Sequence, residues 1–206
     1  MNTEELSALM EQRSLGYRFL ARAYRTAPDA AFIDSMLETA ETLAEGPLSP
    51  FFEEAAGADR EQLRIDLCAD YNQLFLGMSP HPVAPYESVY TSEEGLMMQD
   101  ARDAMVRVYE TWGLRVPASF DLPEDHVALE LELMACLAER TAAAATAGED
   151  TTDLVDAQRT YLNDHLAWVS QLCDDVEQRA RTAFYYGIAG LARDYVAADR
   201  EALSEL

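Results

Sequence analysis

DREQLRIDLCADYNQLFLG, from Asp59 to Gly77, carries Leu63, Leu67, Tyr71 and Leu74 at spacings of three and four, with Phe75 beside them. Those spacings gather apolar side chains on one side of an α-helix and would scatter them over both faces of a strand. Gly77 supplies the residue that ends such a helix. The same period continues outward in both directions, and the alternating β-branched runs that announce strands are missing. The expected fold class is all-α, a bundle-like arrangement of about seven main helices.

Upstream, a helix is expected from about Thr3 to Arg25, with Leu6, Leu9, Met10, Tyr17, Leu20 and Tyr24 on one face and Pro28 as its stop. Asp29 caps a second helix that carries Phe32, Ile33, Met36, Leu37, Ala40 and Leu43 to Gly46-Pro47, and Ser49-Pro50 opens a short one through Ala56. Downstream, Pro80, Pro82 and Pro85 make Gly77 to Ser92 an extended loop. Helix is expected to resume at Ser92-Glu93-Glu94 and run to Gly113. After an irregular stretch, Leu114 to Leu122, Pro123 stands as a first-turn proline for a helix from Glu124 to about Ala147. Two last helices are expected over Thr152 to Cys173 and Asp175 to Ala198. The chain reads as a single domain over residues 1–206, with a hinge at 114–122 across which halves can be exchanged between protomers.

The 206 residues are enough for a sizeable core, and 49% hydrophobic with 26% charged residues is the composition of a folding globular chain. Charge is the departure: 15 basic residues, all arginine, face 38 acidic ones, for a net charge of −23. Such a surface repels phosphate backbones and anionic headgroups and attracts basic ligands. Solubility, or a salty cytoplasm, is the plainer account of the same acidity. The N-terminus has neither a basic start nor an apolar core of the kind a secretory signal shows. The longest apolar run, Phe184 to Ala192, is about half the roughly 18 residues a membrane helix needs. A soluble, cytoplasmic protein is expected. Cys68, Cys136 and Cys173 form no Cys-x-x-Cys pair and read as core thiols.

Signatures of dinucleotide-binding, P-loop, zinc-hydrolase and serine-hydrolase enzymes are missing from the sequence. His126 and Glu130 share a helical face, with Asp125 or Glu87 able to complete a mixed metal site, although carboxylates on an acidic helix are usually just solvated. The loop Pro80-His81-Pro82-Val83-Ala84-Pro85-Tyr86-Glu87-Ser88-Val89-Tyr90 places two tyrosines, a carboxylate and a hydroxyl on restrained backbone. Proline lowers the entropy lost on ordering and tyrosine offers broad contact with a polar tip, which suits gripping a peptide; equally, Tyr86 and Tyr90 can simply pin the loop to the bundle. In Pro123-Glu124-Asp125-His126, helix capping accounts for the two acids, while the imidazole of His126 can change charge near neutral pH.

Asp70-Tyr71-Asn72-Gln73-Leu74-Phe75-Leu76-Gly77, then Pro85-Tyr86-Glu87-Ser88-Val89-Tyr90, then Pro123-Glu124-Asp125-His126, in that order and at those separations, resembles the TorD/DmsD family of redox-enzyme maturation chaperones. Phe184-Tyr185-Tyr186 with Leu191-Ala192 and Tyr195 is similar to the closing helix of that family, so the likeness spans nearly the whole chain, Leu9 to Tyr195. The resemblance implies an all-helical cytoplasmic chaperone, with no catalysis and no cofactor or metal of its own. It would bind the twin-arginine signal peptide and apo-form of a molybdopterin oxidoreductase until the cofactor is inserted. The peptide-binding residues it implies are Tyr71, Leu74, Phe75, Pro85, Tyr86, Glu87, Ser88, Tyr90, Asp125 and His126. Within that set, Asp125 and Glu87 are expected to pair with the two arginines, and Leu74, Phe75 and Tyr86 to meet the apolar region of the peptide. Some members carry tryptophan where Tyr71 stands and glycine around Met98 or Gln99, and neither is kept here. Two other readings stand beside this one: a NarJ-type factor acting on the enzyme body, and a small metal-dependent hydrolase or nucleotide-binding protein using Asp125, His126 and Glu130. The protein is expected as a monomer or a swapped homodimer.

Overall fold

The computed structural model describes residues 2–39, 45–116 and 120–206. Among them every regular element is an α-helix, apart from one isolated β-bridge between Tyr86 and His126. The helices are α1 (Thr3–Arg25), α2 (Ala30–Glu38), α3 (Ser49–Ala55), α4 (Arg60–Phe75), α5 (Glu87–Thr91), α6 (Asp100–Thr111), α7 (Val127–Ala147), α8 (Thr152–His165), α9 (Val169–Arg179) and α10 (Ala183–Ser204). The chain is all-α, as its periodicity indicates. No helix among the described residues is long and apolar enough to cross a membrane.

Local chemistry sets several helix starts. Asn2 and Glu5 exchange side-chain and backbone hydrogen bonds at 2.8 and 2.9 Å, a capping box that satisfies two otherwise orphaned N–H groups of α1. Asp29 accepts the Phe32 N–H and Asp59 the Gln62 N–H, opening α2 and α4. Gly148 closes α7 in the left-handed region, φ 72°, where a side chain would be strained.

The chain forms two compact units. The first comprises Met1–Arg22, Pro85–Val169 and Tyr195–Leu206; the second comprises Ala23–Ala84 and Ser170–Asp194. In the first, α7 is apolar on nearly every side and buried along its length, the pattern of a helix enclosed by others. Arg13 is buried there and bonds the two oxygens of Asp199 and the side chain of Gln158, which donates in turn to Thr141; Tyr17 adds a 2.6 Å bond to Asp199. Each charge in this network has its partners, the condition for burying one. The second unit has an aromatic core: Phe51, Phe184, Tyr185, Tyr71, Phe75 and Tyr24 meet edge-on or tilted, with ring centroids 4.8–6.1 Å apart.

Several helix boundaries differ from those the sequence suggests, some fixed from a distance and some by local bonds. The loop expected through Ser92 yields α5 at Glu87, because Asp125 accepts the Ser88 N–H at 3.0 Å from 37 residues away. Helix does not resume at Ser92, whose Oγ instead accepts from the Gly95 N–H; Gly95 and Met98 are both left-handed at φ 62°, and α6 begins only at Asp100. Nor does α7 start at Glu124: its N-cap is His126. Near the C-terminus the chain runs as helix straight through Cys173 and breaks instead around Leu166–Trp168 and Ala180–Thr182. The first break leaves the His165 carbonyl to the Trp168 indole N–H at 2.8 Å. The second is made by Asp70, which accepts the Arg181 and Thr182 amides and the Thr182 hydroxyl at 2.7–3.2 Å. As described, α2 ends at Glu38, and the expected continuation through Ala40 and Leu43 falls on residues 40–44, outside the described residues. The stretch expected as a hinge, Leu114 to Leu122, lies within the first unit, with residues 117–119 outside the description. Of the cysteines, all free, Cys173 is buried while Cys68 and Cys136 are only half-buried.

Candidate functional site

Seven of the ten residues singled out from the sequence belong to the first unit, and the chain brings them together by backbone pairing. The Glu87 N–H donates to the Asp125 carbonyl and the Val127 N–H to the Pro85 carbonyl, both at 2.9 Å, so the exit of the proline loop and the entry to α7 form one short antiparallel pair. Tyr86 and His126 face each other across it, ring centroids 5.1 Å apart and nearly perpendicular, with Phe120 on the imidazole's other contact at 5.8 Å.

Burial then divides the seven. Asp125, at 0% exposed, is enclosed together with Ser88, Glu87, His126 and Pro85, while Tyr86 and Tyr90 are half-buried. The Asp125 carboxylate holds the Ser88 amide, and Ser88 Oγ accepts the Gln99 N–H at 3.1 Å. Glu124, expected as a capping acid, is instead ion-paired with Arg102 of α6 through Nε at 2.6 Å. The His126 ring Nδ1 accepts the Ala128 N–H at 3.1 Å, so the imidazole rather than an acid caps α7. Burial drives the His126 pKa down to about 3. It is therefore neutral at physiological pH, and the expected charge change near neutrality does not occur. Burial and the nearby Asp125 raise the Tyr86 phenol pKa.

Beneath α5 lies a group of side chains that periodicity did not connect. Glu130 is 0% exposed, and its Oε2 accepts the Trp168 indole N–H at 2.9 Å. Its Oε1 meets no N–H or O–H donor among the described residues, only the Glu87 carboxyl. Burial, then the Glu87 charge, push the Glu130 pKa well above the ordinary carboxylate range, so Glu130 favours its protonated form. The other side of Glu87 faces His165 Nδ1 at 3.0 Å, and Tyr90 stacks on Trp168 at 5.1 Å. The signature segment Glu87–Tyr90 is thus clamped from below by Glu130, His165 and Trp168. Glu130 was legible as the residue four after His126; Trp168 and His165 carried no local signal.

Asp125, His126 and Glu130 are each engaged by a different partner, Ser88, Ala128 and Trp168. No group of three or more His, Cys, Asp or Glu that could hold a metal occurs among the described residues.

The other three predicted residues belong to the second unit. Tyr71 and Leu74 are buried and Phe75 is half-buried; the Tyr71 hydroxyl donates to the Tyr24 carbonyl at 3.2 Å, and the Leu74 carbonyl accepts the Val83 N–H at 2.7 Å. Tyr71 and Phe75 pack on each other and on Tyr185. Asp70, in the same motif, caps α10, a role the sequence did not reveal.

The family model described as nitrate reductase delta subunit matches residues 42–174, well over half the chain. The chain belongs to this family, the TorD/NarJ-type redox-enzyme maturation chaperones. Members similar to it include the chaperone protein TorD of Vibrio cholerae serotype O1 (strain O395), 30% identical over 152 residues, covering 72% of this chain and 67% of that one. TorD of Aliivibrio fischeri is 26% identical over 208 residues, covering 95% and 96%. A crystal structure assigned as a redox enzyme maturation protein from Archaeoglobus fulgidus superposes with a TM-score of 0.53 at 22% identity, covering 93% of each chain, and shares the all-helical fold. The relatives are named chaperones, and the family is one of chaperones rather than catalysts.

Proposed function

We propose that the chain is a cytoplasmic chaperone that binds the twin-arginine signal peptide of a molybdopterin oxidoreductase precursor and holds the apo-enzyme until its cofactor is inserted. Membership of a molybdoenzyme maturation family supports the coarse role. The single observation that carries the peptide reading is the backbone pairing of Tyr86 with His126, which assembles two separated signature motifs into one rigid platform. The ten residues divide by role. Pro85, Glu87, Ser88, Asp125 and His126 hold the platform, and Tyr71 and Leu74 support Phe75 in the second unit. Tyr86 and Tyr90 in the first unit, and separately Phe75 in the second, offer partly exposed aromatic surface suited to a peptide's side chains. The enclosed carboxylates of Asp125 and Glu87 act on the peptide through the platform, and surface acids attract its arginines.

Capture with the tagged protein from a lysate of its source, at low and raised salt, tests this by mass spectrometry. The expected product is one oxidoreductase precursor with its leader intact. The description of the family as a nitrate reductase delta subunit favours a second reading, binding to the enzyme body; equal capture of leaderless enzyme would establish that one. Capture of no redox enzyme overturns both. Asp125→Asn should weaken leader binding by about 1–3 kcal/mol while leaving its salt dependence unchanged, because the buried carboxylate positions α5 and does not meet the arginines. Binding measured against salt concentration checks this, and a flattened salt dependence would place Asp125 in direct contact.

A further inference from the structure

The loop from Ser92 to Gln99 exposes three consecutive large apolar side chains: Leu96, Met97 and Met98 are 59, 41 and 56% exposed. A continuous apolar run in water is unfavourable, and its persistence marks a surface that something covers. The loop is nevertheless held in place from inside. Asp125 fixes the Ser88 amide, Ser88 Oγ accepts the Gln99 N–H, and the Gln99 side-chain amide returns to the Met97 carbonyl at 3.0 Å. Met98 sits at φ 62°, a left-handed conformation that any residue with a Cβ adopts at a cost. Two of the three side chains are methionines, whose unbranched, polarisable chains adapt to varied apolar partners.

Beside this run lies a hollow of about 470 Å³ walled by Glu93, Glu94, Gln99 and Asp100. No arginine stands between Thr91 and Ala101, and Arg102 is tied to Glu124 and Asp103. An acidic hollow against an apolar run is complementary in charge and polarity to a segment in which cations precede an apolar stretch.

We propose that the Ser92–Gln99 loop and this hollow form the docking surface for a peptide whose two adjacent basic residues precede an apolar run. The basic pair enters the hollow and the run lies across Leu96, Met97 and Met98. This rests on the signal-peptide reading and adds where the peptide lies and which side chains select it.

Fluorescence anisotropy with a labelled synthetic peptide, two adjacent arginines followed by a leucine-alanine run, tests it on the full chain, with thermal unfolding recorded alongside. Met98→Gly relieves the left-handed backbone and removes an apolar contact, so its Tm should hold or rise while affinity falls about tenfold. A merely structural effect would lower both. Leu96→Ser should lower affinity by a similar factor. The triple variant Glu93→Gln, Glu94→Gln, Asp100→Asn should lose about tenfold at low salt and much less at raised salt. Variants that all bind within about a factor of two of the parent overturn the proposal and leave the signal-peptide reading standing. A parent chain that fails to bind the peptide overturns that reading, and the proposal with it. Sedimentation showing a dimer that Leu96→Ser dissolves, with peptide affinity unchanged, would assign the surface to a second copy and overturn the proposal as well.

Discussion

Asp70 in the second unit and Glu130 in the first are both carboxyls sealed from solvent, and their surroundings are opposite. Asp70 is met only by donors: two backbone amides and a hydroxyl, all from the start of α10. Glu130 has one indole N–H on one oxygen and another carboxyl on the other. A buried acid surrounded by donors organises a remote helix as an acceptor. A buried acid facing a second acid keeps a proton, and becomes a donor itself. The same residue chemistry therefore does two jobs, decided by what the fold brings to it.

An identical edit, acid to amide, should separate the two. Asp70→Asn places an NH₂ group against amides that need an acceptor, and should cost about 2 kcal/mol in chemical denaturation, with fraying of the start of α10 visible in hydrogen exchange. An unchanged midpoint would mean that the cap is not used in solution. Glu130→Gln, by contrast, keeps the hydrogen-bonding pattern of the protonated acid. The Glu130 pKa is raised on folding, so the stability tied to its proton is complete below the ordinary glutamate range near 4.5 and is lost as pH rises toward the folded pKa. The variant should remove that slope, up to about 1.4 kcal/mol per pH unit, and be relatively more stable at pH 8 than at pH 5. Parallel stability curves for parent and variant would show that Glu130 is not held protonated on folding. The smallest effect belongs to His126, whose pKa is depressed to about 3. The unfolded chain takes up that proton near 6.5, so this contribution is present above pH 6.5 and lost as pH falls toward 3. His126→Asn keeps a good N-cap without the titration and should recover roughly 1 kcal/mol at about pH 5.5 relative to its deficit at pH 7.5. Equal acid sensitivity in both chains would show that His126 is not sealed as described.

The helical class was legible because period 3.6 is plain in α1, α6, α8, α9 and α10, and Asp29 and Asp59 mark their own helix starts within three residues. Two of the boundaries that went astray involve a distant acceptor. Thr182 offers an ordinary local cap, its Oγ1 accepting the Tyr185 N–H at 3.4 Å, but the acceptor that holds its own amide is the distant Asp70, and nothing near Ser88 announces α5, since its acceptor is Asp125. The candidate site shows the same limit. Its residues could be found in order along the chain, but whether Glu87 and Asp125 look outward or inward depends on Trp168, His165 and Glu130, which periodicity cannot join. The helix expected from Ser92 took in Leu96 to Met98 because the left-handed Met98 has no signature in a residue type that ordinarily avoids that conformation.

The stack of Tyr90 on Trp168, with the indole N–H on Glu130, makes the chain its own optical probe. The other tryptophan, Trp112, lies at the end of α6 beneath the Arg140 guanidinium, which also bonds its carbonyl. Replacing Trp112 with phenylalanine would leave one emitter, seated against the segment that carries the signature motif and against the buried Glu130 carboxyl. Its emission would follow the seating of Glu87–Thr91 during unfolding or ligand capture without an attached dye.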